Sequence, residues 1–221
     1  MQSEDSMVSR TLWARYGKRV FDVLAAGVLV VLLSPVLAAA AGCVKLSSAG
    51  PVFFTQPRAG RRGKAFRVRK FRTMYRDHKH DVTETVTLAH PGITPVGRVL
   101  RRVKIDELPQ IFNVLVGTMS LVGPRPGLLS QAEAYDDVQR RRLLLRPGCT
   151  GLAQVNSMSR GADWTDRIKY DVYYVRHCSF RLDMGILAKT LLVLMLGEKR
   201  FDRPFESSPY ASTDGSTSHR P

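Results

Sequence analysis

The feature that most constrains this chain is an uncharged apolar segment from Val23 to Val44, with the sequence VLAAGVLVVLLSPVLAAAAGCV. No Asp, Glu, Lys or Arg occurs between Asp22 and Lys45. As an α-helix the segment would reach about 33 Å, which is enough to cross the hydrocarbon core of a bilayer. The segment therefore predicts a helix that enters a membrane.

Three interpretations of this segment compete, and the first two are a signal peptide and a plain transmembrane helix. In the first it is a signal peptide, with Arg15, Lys18 and Arg19 as the basic region and the alanines at 38–41 as the cleavage site. The mature protein would then carry an odd number of cysteines into an oxidising compartment, which argues against cleavage. In the second it is a plain transmembrane helix.

The third interpretation is a re-entrant helix over residues 18–46, which enters the bilayer and leaves on the same side. Ser34 and Pro35 lie near the middle of the run. Pro35 has no N–H for the carbonyl of Val31, and the Ser34 hydroxyl can bond back to a carbonyl that is left without a partner. Basic residues flank both ends of the segment, and basic flanks stay cytoplasmic. A helix broken at Ser34 and Pro35 satisfies both flanks, so we favour it.

The charge balance predicts anionic partners. The chain has 34 Lys and Arg against 19 Asp and Glu, a net charge of +15, which favours phosphates, anionic lipid or nucleic acid. The three cysteines are far apart in sequence, so neither a zinc ribbon nor a disulfide framework is indicated.

The rest of the pattern predicts short strands and several helices over residues 47–200, after an N-terminal segment at 1–17 and before a disordered tail at 201–221. A short strand is expected at 51–57, and a second where Phe66 and Val68 alternate with basic residues that form one face. TPVGRVLRR predicts a basic amphipathic helix suited to a membrane surface. Helices are expected at 94–102, 107–116, 130–145, 160–177 and 180–196.

Two adjacent carboxylates, Asp106 and Glu107, follow a basic stretch. They can simply cap a helix and favour its dipole, with Pro109 in the first turn. They can also divide two tasks, one facing a phosphorus atom and the other holding a divalent cation. Arg125 stands between two prolines, and its planar fork suits a phosphate or a carboxylate.

Several motifs together are specific. They are KRVFDVLAAGVLVVLLSPVLAAAA, GPVFFTQPRAGRRGKAFRVRKFRTM, KIDELPQIFNVLVGTMSLVGPRP, RPGCTGLAQVN and YDVYYVRHCSFRLDMGIL. In this order, from about Lys18 to Leu196, they resemble the short form of the monotopic bacterial phosphoglycosyl transferases, the bacterial sugar transferase family.

The resemblance implies a mostly helical α/β membrane-associated catalytic domain at residues 47–200, a reaction and a set of residues. The family moves a phosphosugar from a UDP-sugar to undecaprenyl phosphate, releases UMP and requires Mg²⁺. The matching positions imply Asp106 as the covalent nucleophile and Glu107 as a second catalytic residue near the metal. Substrate-binding roles are expected for Lys70, Arg72, Arg125 and Asp171.

The resemblance also implies a location and partners. The catalytic domain would lie on the cytoplasmic face of the bacterial inner membrane, in contact with its lipids. Nucleic acid is not an expected partner, and a homo-oligomer stays open. Two alternatives remain: a non-catalytic membrane-tethered module that binds nucleic acid or anionic lipid, and a basic protein secreted after cleavage near Ala40. The module leaves Asp106 and Glu107 without a role.

Overall fold

The structure is a computed structural model that describes residues 11–76, 87–156 and 164–212 of the chain. Helix α1 spans Lys18–Ser47 and continues a π-helical turn, Trp13–Gly17. Among the described residues, this is the one helix that is long and apolar enough to cross a membrane, judged by length and composition. The long apolar helix predicted from sequence is confirmed.

Both ends of α1 pack on the same domain. Near its start, Ala26 is fully buried in the central core, and Asp22 Oδ1 accepts a hydrogen bond from the amide of Leu121 at 3.0 Å. Near its end, Val44 belongs to a second, smaller core that includes Leu100. Between these contacts Val28, Val31 and Leu32 are exposed, whereas Leu37 and Ala40 are buried in the second core.

Helix α1 is continuous through Pro35. The Ser34 hydroxyl donates to the carbonyl oxygen of Val31 at 2.8 Å, the local hydrogen bond expected where proline removes a backbone donor. The re-entrant path of this helix through a bilayer stays a prediction.

Strands β1 (Phe53–Ala59) and β2 (Ala65–Phe71) form an antiparallel hairpin. The predicted alternation is confirmed, because Val68 is buried while Arg67 and Arg69 are exposed on the opposite face. The first strand begins two residues later than the expected 51–57.

Helix α2 spans Pro95–Arg102, as the basic amphipathic pattern predicted, and Thr94 Oγ1 caps it by accepting from the amide of Gly97 at 2.9 Å. Helix α3 spans Gln110–Leu115 and starts later than the expected residue 107. A separate 3₁₀ turn, Ile105–Glu107, precedes it. Regular α-helical bonding begins only after Pro109, which has no N–H to donate.

A short parallel pair of strands holds the centre of the domain. Strand β3 (Ser120–Val122) pairs with β4 (Gly148–Thr150). At the end of β3 the two backbone segments approach so closely that a Cβ on Gly148 would lie 2.1 Å from the backbone nitrogen of Gly123. Glycine is therefore required at position 148, where β4 begins.

The single helix predicted over residues 130–145 is wrong. The structure contains α4 (Leu129–Glu133), α5 (Asp137–Arg140) and a 3₁₀ turn, Arg141–Leu144. Asp136 starts a new helix because its Oδ1 accepts from the amide of Gln139 at 2.8 Å, which interrupts the earlier one.

Three further helices complete the domain: α6 (Leu152–Asn156), α7 (Trp164–His177) and α8 (Phe180–Leu196). The predictions of α7 and α8 are confirmed within the described residues, and residues 157–163 lie outside them. Asp183 of α8 is fully buried and pairs with Lys18 at 2.7 Å, which ties α8 to the start of α1.

The prediction of a disordered tail from residue 201 is wrong for residues 201–212. Phe205 is buried, and its ring lies 5.0 Å from that of Tyr170 in an edge-on contact. Tyr210 packs beside Tyr173, with ring centroids 5.1 Å apart. The Ser- and Pro-rich composition led to the prediction of disorder, but the rings of Phe205 and Tyr210 in this segment pack on α7. The remaining predicted tail, 213–221, and residues 1–10 lie outside the described residues.

Candidate active site

The two adjacent carboxylates lie in the 3₁₀ turn between α2 and α3. Lys104, just before the turn, adopts the left-handed conformation with φ of 60°. This conformation costs a non-glycine residue about 1–2 kcal/mol, and it redirects the chain into the turn. Asp106 is 9% exposed and Glu107 is half-buried. No helix cap by either side chain is found in the described residues, so the simple capping interpretation is not supported.

Glu107 brings together two of the predicted site residues. Its Oε1 lies 2.6 Å from Lys70 Nζ and 2.9 Å from Arg125 Nη2, while Arg125 Nη1 donates to Oε2 at 3.4 Å. Lys70 reaches the site from β2, where it shares the face of buried Val68, and Arg125 arrives from the loop after β3. Strand β2 and the loop after β3 therefore bring two cations to one carboxylate.

The two carboxyl groups have opposite electrostatic surroundings. Burial on its own raises the pKa of Glu107, but the charges and hydrogen bonds of Arg125 and Lys70 hold that pKa well below its ordinary value of 4.5. Burial, followed by the neighbouring charge of Glu107, raises the pKa of Asp106 above 3.8. Of the two groups, Asp106 thus has the greater affinity for a proton or another electrophile.

More cations surround Asp106. The charges of Lys70, Arg101 and Lys104 each act to lower the pKa of Asp106, against the larger effect of burial. Arg101 is held in place by a hydrogen bond from its Nε to Thr73 Oγ1 at 2.9 Å. The carboxylate is thereby kept in a positive field without a direct ion pair among the described residues.

Sequence reasoning missed Arg58. It lies on the same face of the hairpin as Lys70, because Arg58 pairs with Phe66 and Lys70 with Phe54 in the ladder. Its Nη2 donates to Gln56 Oε1 at 2.7 Å. Burial lowers the pKa of Arg58, and the neighbouring charge of Arg125 lowers it further. The sequence alternation placed residues 66, 68 and 70 on one face, but the hairpin register that adds Arg58 to this face comes from the structure.

Arg72 was predicted to bind substrate, and the structure places it elsewhere. Its guanidinium is buried and donates to the carbonyl oxygens of Ser48 at 2.6 Å and Ala49 at 2.9 Å, and also to that of Val44 at 3.3 Å. These carbonyls lie at the end of α1, where a helix lacks backbone donors. The geometry accounts for Arg72 as a cap of α1, and its contact with substrate stays a prediction.

Asp171 is also removed from the carboxylate pair. It is 1% exposed, and its Oδ2 accepts from Arg142 Nη2 at 2.6 Å. Burial raises the pKa of Asp171 to about 6, although Arg142 acts in the opposite direction. Arg142 in turn donates to the backbone carbonyl of Arg125 at 2.9 Å. Asp171 is therefore connected to the carboxylate site through Arg142 and Arg125.

The donor set is compatible with Mg²⁺. Among the described residues, no group of three or more His, Cys, Asp or Glu side chains is placed to hold a metal ion. Mg²⁺ commonly takes only one or two carboxylates and completes its shell with substrate phosphates and water. Asp106 and Glu107 can supply such carboxylates. Both oxygens of Glu107 already accept from cations, which makes Asp106 the less committed of the two.

The fold and the site together define a mostly helical domain that carries a long apolar helix and a cation-surrounded carboxylate pair. Residues 13–197 match the family model described as Bacterial sugar transferase. This match spans most of the chain, and the chain belongs to the bacterial sugar transferase family.

Three relatives have informative names. The UDP-N-acetylgalactosamine-undecaprenyl-phosphate N-acetylgalactosaminephosphotransferase of Aeromonas hydrophila is 40% identical over 81% of this chain and 44% of its own length. The undecaprenyl-phosphate glucose phosphotransferase of Komagataeibacter xylinus is 42% identical over 81% of this chain and 36% of its own length. The uncharacterized sugar transferase EpsL of Bacillus subtilis is 40% identical over 82% of this chain and 88% of its own length. The chain thus spans less than half the length of the two relatives with named substrates.

Proposed function

We propose that this chain transfers a phosphosugar from a UDP-sugar to undecaprenyl phosphate. The observation that carries the proposal is the convergence of Lys70 and Arg125 on Glu107, directly beside the buried Asp106. Such a site suits a reaction between anions, because fixed cations offset the repulsion between a carboxylate and a phosphate. The names of the relatives from Aeromonas and Komagataeibacter support this substrate class.

In the first step, an Asp106 carboxylate oxygen attacks the phosphorus that bears the sugar. A bond forms between Asp106 and that phosphorus, and the phosphoanhydride bond to the nucleotide breaks. UMP leaves with the electron pair. Covalent catalysis of this kind divides one difficult transfer into two easier steps. The raised pKa of Asp106 favours it over Glu107 as the attacking group.

In the second step, a phosphate oxygen of undecaprenyl phosphate attacks the same phosphorus. A new phosphoanhydride bond forms, the bond to Asp106 breaks, and the carboxylate is regenerated. Lys70 and Arg125 keep Glu107 ionised through both steps, and their remaining N–H groups can bind phosphate oxygens. Bound Mg²⁺, held by Asp106 or Glu107, would supply further neutralisation of the diphosphate charge.

We further propose that both ends of α1 lie on the cytoplasmic side of the inner membrane. Arg19 supports it, since its guanidinium donates to the carbonyl oxygens of Val114 at 2.6 Å and Leu115 at 2.9 Å. The far end of α1 contacts the same domain through Val44. A helix whose two ends hold one small domain is more compatible with a re-entrant path, bent at Ser34 and Pro35, than with a straight crossing.

The alternative is a non-catalytic module that binds nucleic acid or anionic lipid. The exposed Arg67 and Arg69 fit such a module, because they present charge to solvent. The inward-facing cluster around Glu107 does not serve it, since Lys70 and Arg125 are directed to a carboxylate. The enzyme is therefore the better supported function.

One experiment tests the function and the nucleophile. Purified protein with Mg²⁺ and undecaprenyl phosphate should release UMP from at least one member of a UDP-sugar panel. Asp106→Asn should abolish release while keeping membrane association, and the exposed Asp137→Asn should retain full rate. Intact-mass measurement with donor alone should show a phosphosugar added to the wild type and none on Asp106→Asn. Product formation by Asp106→Asn at the wild-type rate would refute the assignment.

A further inference from the structure

A buried ion pair outside the carboxylate site connects α7 to the loop that carries Arg125. Arg142 lies in the 3₁₀ turn Arg141–Leu144, and its side chain is only 5% exposed. Its Nη2 donates to Asp171 Oδ2 at 2.6 Å and to the carbonyl oxygen of Arg125 at 2.9 Å. Its Nη1 donates to the Tyr135 hydroxyl at 2.9 Å. One guanidinium thus contacts α7, the loop that carries Arg125 and the Tyr135 hydroxyl.

Two aromatic rings also contact this guanidinium. The carbon Cζ of Arg142 lies 5.2 Å from the ring centre of Trp164 and 5.6 Å from that of Tyr135. Cation–π contacts of this kind attract a guanidinium to the faces of the rings. The side chain therefore has little freedom to leave the Arg125 carbonyl.

The loop that carries Arg125 is held by its carbonyl oxygens. Pro124 and Pro126 have no N–H, so they cannot donate backbone hydrogen bonds. The carbonyl of Pro124 accepts from the amide of Gly148 at 2.9 Å, and that of Gly127 accepts from the amide of Ala59 at 3.0 Å. Between these two backbone bonds, the carbonyl of Arg125 is held by the side chain of Arg142.

We propose that Arg142 and Asp171 are a positioning pair that fixes Arg125 against Glu107 for the transfer reaction. The inference rests on the proposed function. Arg142 anchors the backbone of Arg125 at the residue whose side chain reaches the site, and Asp171 holds Arg142. Neither side chain of the pair touches substrate.

The alternative is that Asp171 contacts substrate directly. Asp171 is 1% exposed, and one of its oxygens is committed to Arg142. Its other oxygen, Oδ1, is buried without a hydrogen-bond partner among the described residues. A buried ion pair is weak support for stability as such, because desolvation offsets the attraction. An incompletely satisfied pair is better explained by the geometry that it imposes on Arg125.

A double-mutant cycle on kcat/KM tests the positioning role. Arg142→Lys keeps the charge but cannot span Asp171, Tyr135 and the Arg125 carbonyl together. We expect it to lower kcat/KM for UMP release by about tenfold or more in the wild-type background, and by less than about threefold when Arg125 is already alanine. Asp171→Asn, which keeps an acceptor for Arg142, should show the same dependence on Arg125. The exposed Arg140→Lys should leave activity unchanged in both backgrounds.

Equal fold losses in the two backgrounds would overturn the proposal, because a purely structural pair acts independently of Arg125. Thermal unfolding midpoints of each variant separate loss of folded protein from loss of positioning.

Amide hydrogen exchange gives a second readout that needs no activity. In Arg142→Lys the amides of Ala59 and Gly148, which donate to the loop, should exchange about tenfold faster, because the loop opens locally. The amide of Leu121, bonded to Asp22, should be unchanged. Unchanged exchange at Ala59 and Gly148 would refute the positioning role. If the wild type releases no UMP from any donor, the proposed function fails while the exchange result still decides the pairing.

Discussion

Lys70 and Glu107 form the closest contact between a cation and a carboxylate in the site, with 2.6 Å between Nζ and Oε1. Lys70 comes from the inner face of a hairpin, and Glu107 from a turn 37 residues later. Burial lowers the pKa of Lys70, while the charge of Glu107 raises it again. The contact therefore keeps a desolvated ammonium charged close to Asp106.

Replacement of this ammonium should remove charge stabilisation from the transfer. Lys70→Met is expected to lower kcat by about 10²–10³-fold, the usual effect of losing one preorganised donor. UMP release under saturating donor measures it. Arg69→Met is the matched control, because Arg69 lies next in the strand but on the exposed face. Similar losses in the two variants would indicate a general effect of basic charge and contradict the specific role.

Arg72→Met should destabilise the protein without changing its affinity for donor. Loss of the guanidinium leaves carbonyls at the end of α1 without donors, and such unpaired buried groups cost about 1–3 kcal/mol each. The thermal unfolding midpoint should fall, while KM for the UDP-sugar stays constant. Arg76→Met, on an exposed side chain, serves as control. An unchanged midpoint with a raised KM would show instead that Arg72 binds substrate.

The stability of the protein should depend on the ionisation of Asp171. Its pKa of about 6 in the folded state lies above the ordinary value of 3.8, so the folded protein binds more protons than the unfolded chain between these values. The contribution of this group to the free energy of unfolding therefore declines as pH rises from 4 to 6.5, by roughly 3 kcal/mol. It is constant above that range.

Chemical denaturation across pH measures this effect. Asp171→Asn should lack the decline, whereas the exposed Glu133→Gln should retain it. Parallel curves for wild type and Asp171→Asn would contradict the raised pKa.

Phe205→Ala should lower the free energy of unfolding by about 3 kcal/mol, because it removes a buried ring that packs on Tyr170. Denaturant unfolding measures the loss. Ser207→Ala, on an exposed neighbour, should change stability by less than about 0.5 kcal/mol. Equal stability of Phe205→Ala and wild type would mean that the segment after residue 201 does not pack on α7 in solution.

Both flanks of α1 should be inaccessible from outside intact cells. Single cysteines at Arg15 and Arg62, with Cys43, Cys149 and Cys178 replaced by alanine, are expected to resist an impermeant thiol reagent until the cells are opened. Labelling of one position alone would establish a span. Recovery of a processed N-terminus near Ala40 would establish secretion.

The sequence predicted the elements better than their connections. Residues 180–196 were predicted as a helix and α8 has these bounds, because apolar residues dominate the segment and the Ser179 side chain caps its start. Residues 130–145 were predicted as one helix, because helix-forming residues dominate and the capping by Asp136 was overlooked. Local hydrogen bonds of single side chains decided this boundary, and composition does not reveal them.

The site was predicted in part for a similar reason. Family motifs indicated Lys70, Glu107 and Arg125, and the structure brings these three together. Arg142 was overlooked because it is one of three successive arginines in a charged stretch, and nothing in that run distinguishes the buried member. Only the three-dimensional structure shows which guanidinium faces inward.

The packing of Ala26 and Val44 into separate hydrophobic clusters makes the long apolar helix a structural member of the domain. Excision of residues 1–47 to obtain a water-soluble enzyme would uncover both clusters at once and remove the Val44 carbonyl from the Arg72 guanidinium. Folding of the domain therefore depends on the presence of α1. Solubilisation calls for a detergent or lipid disc that retains the helix, rather than for its removal.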